Sequence, residues 1–271
     1  MKINGVEYAV NISGHGDPLV LLHGFTGSAA NWGAHVAAFS GDFTVVTVDL
    51  LGHGRSDSPT DPERYAIERA TADLHAIFRA CSIEAPHLLG YSMGGRLALY
   101  YALRHGVRSL LLESASPGLA DDAERDVRRQ SDEKLAEKIE QEGLAAFVDA
   151  WEKLPLFASQ SALAEDARAA LRQQRLANNP VGLANSLRGM GTGVQPSLWS
   201  RLGTLDSPAL LLCGALDAKF TGIAREMAKR LRNARLAIAP SAGHTIHLER
   251  PTFFRDEVLR FLLDIARRRM P

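Results

Sequence analysis

Several kinds of chemistry are missing from this chain. It has only two cysteines, Cys81 and Cys213, in 271 residues. Both sit in apolar surroundings, which reads as buried free thiols rather than a disulfide framework or a reactive pair. There is no G-x-G-x-x-G and no phosphate-loop pattern, so no nucleotide cofactor is expected. The nine histidines show no metal-ligand spacing, so no metal is expected either. No apolar run approaches the ~20 residues that span a bilayer. Lys plus Arg and Asp plus Glu each total 31, so net charge is zero. That argues against a nucleic-acid or membrane-surface partner, while leaving room for a local basic pocket. The opening Met1-Lys2-Ile3-Asn4-Gly5 is not an apolar signal segment, and a soluble cytoplasmic protein is the expectation. The oligomeric state is left open, a monomer included.

What is present is an alternation. Apolar, strand-like runs recur at Pro18–Leu22, Phe43–Val48, Ala85–Leu89, Val107–Leu112, Ala209–Cys213 and Ala234–Ala239. Most are continuous rather than alternating, as in strands buried on both faces. Helical stretches such as Thr71–Ala80 and Ile223–Leu231 separate several of them, which predicts a mostly parallel sheet flanked by helices. Glu7–Ile12 is expected to add an antiparallel edge strand. From Ser116 to Leu205 no buried strand is legible, only amphipathic stretches rich in Arg, Glu and Gln. The expected organisation is therefore a core of residues 1–115 and 206–271, with residues 116–205 inserted as a helical lid or as extra packing helices.

Gly90-Tyr91-Ser92-Met93-Gly94 lies between an apolar run and a helix-like run. A G-x-S-x-G in that setting places its serine on a sharp strand-to-helix turn, hydroxyl exposed above the sheet. Met93 would then offer a backbone N–H at a helix N-terminus, where developing negative charge is stabilised. A serine near neutral pH needs an imidazole to take its proton and a carboxylate to orient that imidazole. His244 lies in the loop after the last strand-like run, with His247 as its rival. Asp217 lies just past another strand, with Glu113 as the competing acid. The loop His23-Gly24-Phe25 can direct the Phe25 N–H toward the same oxyanion as Met93. His23 and His53 read as structural residues.

With these loops in order, the chain resembles the α/β-hydrolase fold over nearly its whole length. That superfamily hosts many reactions, so the fold alone specifies little. A narrower resemblance rests on Arg96 directly after the elbow glycines, on Ser116-Pro117-Gly118-Leu119, on the Arg- and Glu-rich run ending Arg128-Arg129-Gln130-Ser131-Asp132, on Trp151-Glu152-Lys153-Leu154-Pro155, and on Arg175-Leu176-Ala177-Asn178-Asn179. Together these resemble the 2-succinyl-6-hydroxy-2,4-cyclohexadiene-1-carboxylate synthases of menaquinone biosynthesis.

The resemblance implies a lyase without cofactor that eliminates pyruvate from 2-succinyl-5-enolpyruvyl-6-hydroxy-3-cyclohexene-1-carboxylate. It implies Ser92, Asp217 and His244 acting as a base, with Phe25 and Met93 as the oxyanion hole. The family's substrate carries three carboxylates, which arginine suits. Arg96 stands one helical turn from Ser92, and Arg128 and Arg175 match arginines of the family's lid, although Arg125 and Arg129 compete with Arg128. Tyr91 either binds a carboxylate or packs at the elbow, and Trp151 either walls the pocket or packs the lid. The alternative is a serine hydrolase, a carboxylesterase or C–C bond hydrolase acting on small carboxylate-bearing substrates.

Overall fold

A computed structural model describes residues 1–267 of the chain. A two-stranded antiparallel ribbon, β1 (Lys2–Ile3) with β2 (Val6–Glu7), precedes the main sheet. That sheet comprises β3 (Val10–Ser13), β4 (Asp17–Leu22), β5 (Phe43–Val48), β6 (His87–Tyr91), β7 (Ser109–Glu113), β8 (Ala209–Gly214) and β9 (Ala234–Ala239). Their order is β3-β5-β4-β6-β7-β8-β9. Every neighbouring pair is parallel except β3 with β5. The antiparallel edge strand is shorter than expected, because Val6–Glu7 pairs in the ribbon instead. Two strands begin two residues later than the apolar runs do. Pro86 has no N–H to give to a ladder, so pairing starts at His87 against Ser109, with the Pro86 carbonyl accepting from Arg108 N.

Successive residues of the buried strands feed two apolar layers, as the two-residue strand period requires. Val20, Leu22, Val46, Leu88 and Leu110 face α2 (Ile67–Ala80), α3 (Met93–His105) and α7 (Ala218–Arg230). Leu19, Leu21, Val45, Leu89 and Leu111 face α1 (Gly33–Phe39) and α9 (Pro251–Arg267), through Trp32, Phe39, Phe254 and Leu262. Cys213 is buried, whereas Cys81, at the end of α2, is only half-buried; both are free thiols.

Between β7 and β8 the chain is helical. α4 (Asp122–Trp151) is broken at Gly143, where φ is 81° and ψ 166°. α5 (Glu165–Leu176) and α6 (Pro180–Met190) follow. Ile139, Phe147 and Val148 of α4 pack on Leu183 and Leu187 of α6, giving this insertion a small core of its own. Arg188 of α6 forks onto Glu133 and Glu140 of α4. Among the described residues, no helix is long and apolar enough to cross a membrane, and no group of three or more acidic, histidine or cysteine side chains is placed to hold a metal ion.

Candidate active site

β6 ends at Tyr91 and α3 begins at Met93, leaving Ser92 alone to make the turn. Its backbone sits at φ 51° and ψ −108°, a strained region for a residue with a Cβ. Two bonds hold it there: Ser92 N donates to the Glu113 carbonyl at 2.8 Å, and the Ser92 carbonyl accepts from Arg96 N at 3.0 Å. The flanking glycines make the turn possible. A Cβ at Gly94 would stand 2.3 Å from the Leu22 carbonyl oxygen, and one at Gly90 would stand 2.3 Å from that of Gly94.

Asp217 follows β8 and caps the N-terminus of α7, where its Oδ1 accepts from Phe220 N at 3.1 Å. Its Oδ2 lies 2.7 Å from His244 Nδ1, and His244 Nε2 lies 3.1 Å from Ser92 Oγ. With Nδ1 donating to the carboxylate, neutral His244 presents Nε2 as an acceptor to the serine hydroxyl. The His244 loop is clamped from the following helix, α8 (Ile246–Glu249). Glu249 accepts from Gly243 N at 2.7 Å and from Thr245 N at 3.1 Å, the two amides that flank His244. Sequence reasoning missed this clamp. The one signal was an acid five positions after the histidine.

The rival acid and the rival histidine find each other. His247 Nδ1 lies 2.8 Å from Glu113 Oε2, and His247 N donates to Glu113 Oε1 at 3.0 Å. Both side chains are wholly buried, next to the Trp32 ring and away from the cavity. His23 and His53 are buried too. Burial holds the His23 imidazole down at about 4, and burial followed by repulsion from His23 holds His53 at about 3. His23 Nε2 accepts from Leu50 N at 2.9 Å, which fixes the turn after β5.

Above Ser92 lies a cavity of about 350 Å³, roofed by the helical insertion. Phe25 and Met93 line it, and among the described residues neither backbone N–H has a protein acceptor. Tyr91 and Trp151 line it as well. The Tyr91 hydroxyl pairs with Thr245 Oγ1 at 3.1 Å, and its phenol is pushed up, chiefly by burial. Trp151 stacks among Phe25, Phe147 and Phe157.

Three cations reach the cavity: Arg96, Arg128 and Lys219. No aspartate or glutamate lines it among the described residues. Arg96 is buried, with Nη1 spent on Gln195 Oε1 at 2.6 Å and the Met190 carbonyl at 2.8 Å. Burial first, then repulsion from Arg128, pushes its guanidinium down to about 10. Arg128 is half-exposed and pairs with Asp132 at 2.7 Å. Arg175 is placed elsewhere. It lies over the Phe157 ring, outside this cavity, with Nη1 on Glu152 at 2.9 Å and Nη2 on Gln160 at 3.1 Å. Lys219, which the sequence reading passed over, takes a place at the cavity rim.

This geometry has a familiar counterpart. Residues 17–251 match the alpha/beta hydrolase fold family, and the chain belongs to it. A protein of Bacillus subtilis (strain 168), provisionally named 2-succinyl-6-hydroxy-2,4-cyclohexadiene-1-carboxylate synthase, is 47% identical over 97% of both chains. The synthase of that name from Serratia proteamaculans (strain 568) is 34% identical over 91% of this chain and 93% of its own. The structure of MenH from S. aureus superposes with a TM-score of 0.92 at 38% identity, covering 96% of this chain and 98% of that one. Within the fold, the chain belongs to the 2-succinyl-6-hydroxy-2,4-cyclohexadiene-1-carboxylate synthase family.

Proposed function

We propose that this protein eliminates pyruvate from 2-succinyl-5-enolpyruvyl-6-hydroxy-3-cyclohexene-1-carboxylate, giving 2-succinyl-6-hydroxy-2,4-cyclohexadiene-1-carboxylate for menaquinone biosynthesis. Family membership supports the reaction. The observation that carries the substrate class is the cavity over Ser92, which presents cations and, among the described residues, no carboxylate. A ligand with three carboxylates is attracted there, and the buried Arg96 guanidinium gains most, since it has lost its water and has no carboxylate bonded to it.

In this reading His244 Nε2 takes the Ser92 proton, and Ser92 Oγ removes the proton on the ring carbon alpha to the succinyl ketone. The enolate oxygen rests on the Phe25 and Met93 amides, which are fixed before charge develops. Electrons move through the ring double bond, and the carbon–oxygen bond to the enolpyruvyl group breaks. The departing pyruvate enolate takes up a proton, so one proton leaves the ring and one is gained by pyruvate. Asp217 keeps His244 in the required tautomer. The helical insertion acts as a lid, with Tyr91 and Trp151 as walls that exclude water and Arg128 as a second carboxylate partner.

Incubation with the enolpyruvyl precursor tests this. Pyruvate and the conjugated diene formed in equal amounts, the diene followed by its new ultraviolet absorbance, is the expected result. A stable acyl adduct on Ser92 with activated esters, and no pyruvate from the precursor, would move the protein to the serine hydrolases.

A further inference from the structure

Lys219 is hard to explain by folding. It sits in the first turn of α7, where the helix N-terminus repels a cation. The acid that would offset it is already used, since one oxygen of Asp217 bonds Phe220 N and the other bonds His244. Among the described residues no carboxylate pairs with the Lys219 ammonium, whose one recorded contact is the Phe220 ring at 5.7 Å. Other cations of this region are satisfied: Arg172, Arg175 and Arg188 each hold a carboxylate. A solvent-facing lysine with no partner is common, but this one lines the cavity. Its neighbour Phe220 packs 4.5 Å from the His244 ring, which sets the ammonium on the histidine side of the site. Arg96 is anchored to the Met190 carbonyl and Gln195, and Arg128 to Asp132, so both guanidinium groups belong to the side of the helical insertion.

The cavity thus offers two guanidinium groups together and one ammonium apart. Arg175 is held by Glu152 and Gln160 and lines a neighbouring cavity across the Phe157 ring. We propose that Lys219 binds one carboxylate of the substrate at the His244 side and thereby selects for a tricarboxylate over a dicarboxylate. The inference rests on the reaction proposed above. It makes Lys219 a binding residue whose place at the helix start is retained for the ligand and not for the fold.

Lys219→Gln and Lys219→Arg, compared with the parent by initial rates of pyruvate release and by thermal unfolding, test this. For Lys219→Gln, KM should rise about tenfold, with kcat within about twofold and Tm equal or higher. Lys219→Arg should recover KM to within about threefold of the parent, since it restores the charge. A Lys219→Gln enzyme with parental KM overturns the assignment, as does a tenfold loss that Lys219→Arg fails to repair. A parent enzyme that releases no pyruvate sinks the proposed reaction itself; an active parent beside an unaffected Lys219→Gln variant sinks only the role of Lys219.

Discussion

Two acid–imidazole pairs are built on histidines three residues apart in the chain, and their second ring nitrogens separate them. Asp217–His244 and Glu113–His247 have nearly equal lengths, 2.7 and 2.8 Å. His244 Nε2 meets the Ser92 hydroxyl at the floor of the cavity. His247 Nε2 is buried with no partner among the described residues, and its ring packs on Trp32, Tyr91 and Phe254. A carboxylate beside a histidine is therefore not enough to make a base. The imidazole needs a proton source on its far side and room for a substrate. The sealed pair serves the open one through the backbone. Glu113 accepts Ser92 N with its carbonyl and His247 N with its carboxylate, so one residue braces both the serine and the end of the histidine loop.

The sharpest break of this comparison is to delete each imidazole in turn. His244→Ala should cut pyruvate release about a thousandfold or more while leaving Tm near the parent value, since its loss removes the base. His247→Ala should do the opposite in kind, lowering Tm by several degrees and leaving a buried carboxylate uncompensated, with a far smaller loss of kcat in the protein that remains folded. Equal losses of turnover at equal stability would erase the distinction drawn here.

The acids sharpen it with less disruption. Asp217→Asn keeps the shape but favours the wrong tautomer of His244, and a large loss in kcat, no greater than that of His244→Ala, is expected with little change in stability. Glu113→Gln weakens two buried bonds to His247, which should cost roughly 1.5–3 kcal/mol of unfolding free energy by denaturant titration and less than tenfold in kcat. The reverse ranking of kcat would make Glu113 the working acid.

Much of this site could be read from sequence because a parallel sheet gathers it. Ser92, Asp217 and His244 each follow a buried strand, and the carboxyl ends of such strands converge on one edge. Once the strands were recognised, the loops that carry chemistry followed. The insertion was less legible. Whether a helix arginine faces inward depends on how the helix is rolled against its neighbours. α5 is rolled so that Arg175 faces Glu152 and Gln160, while Arg128 on α4 reaches the cavity. Lys219 went unseen for a different reason. A lysine two residues past a helix cap reads as an ordinary exposed charge until the helix is placed against the cavity.

The smallest effect concerns the imidazoles that have no acid at all. His23 and His53 lie beneath the Phe25 loop, their rings 5.2 Å apart, and burial keeps both neutral. In the unfolded chain each takes a proton near pH 6.5; in the folded protein this waits until about pH 4 for His23 and about pH 3 for His53. Below pH 6.5 the unfolded state therefore binds more protons, so stability falls as pH falls. The slope approaches roughly 1.4 kcal/mol per pH unit for each ring and fades once the folded protein protonates too. Denaturant unfolding at a series of pH values from 7.5 to 5 should show this loss. His53→Leu, which removes one buried imidazole and its repulsion on the other, should reduce the slope by about half. An unchanged slope in that variant would mean that the acid sensitivity arises elsewhere, and a flat parent profile would mean that these rings are not held neutral. Because Phe25 packs 5.8 Å from His53, protonation of these rings in the folded protein, reached only near pH 4 and below, should loosen the loop that supplies one oxyanion amide, whereas between pH 7.5 and 5 the two rings should leave turnover unchanged.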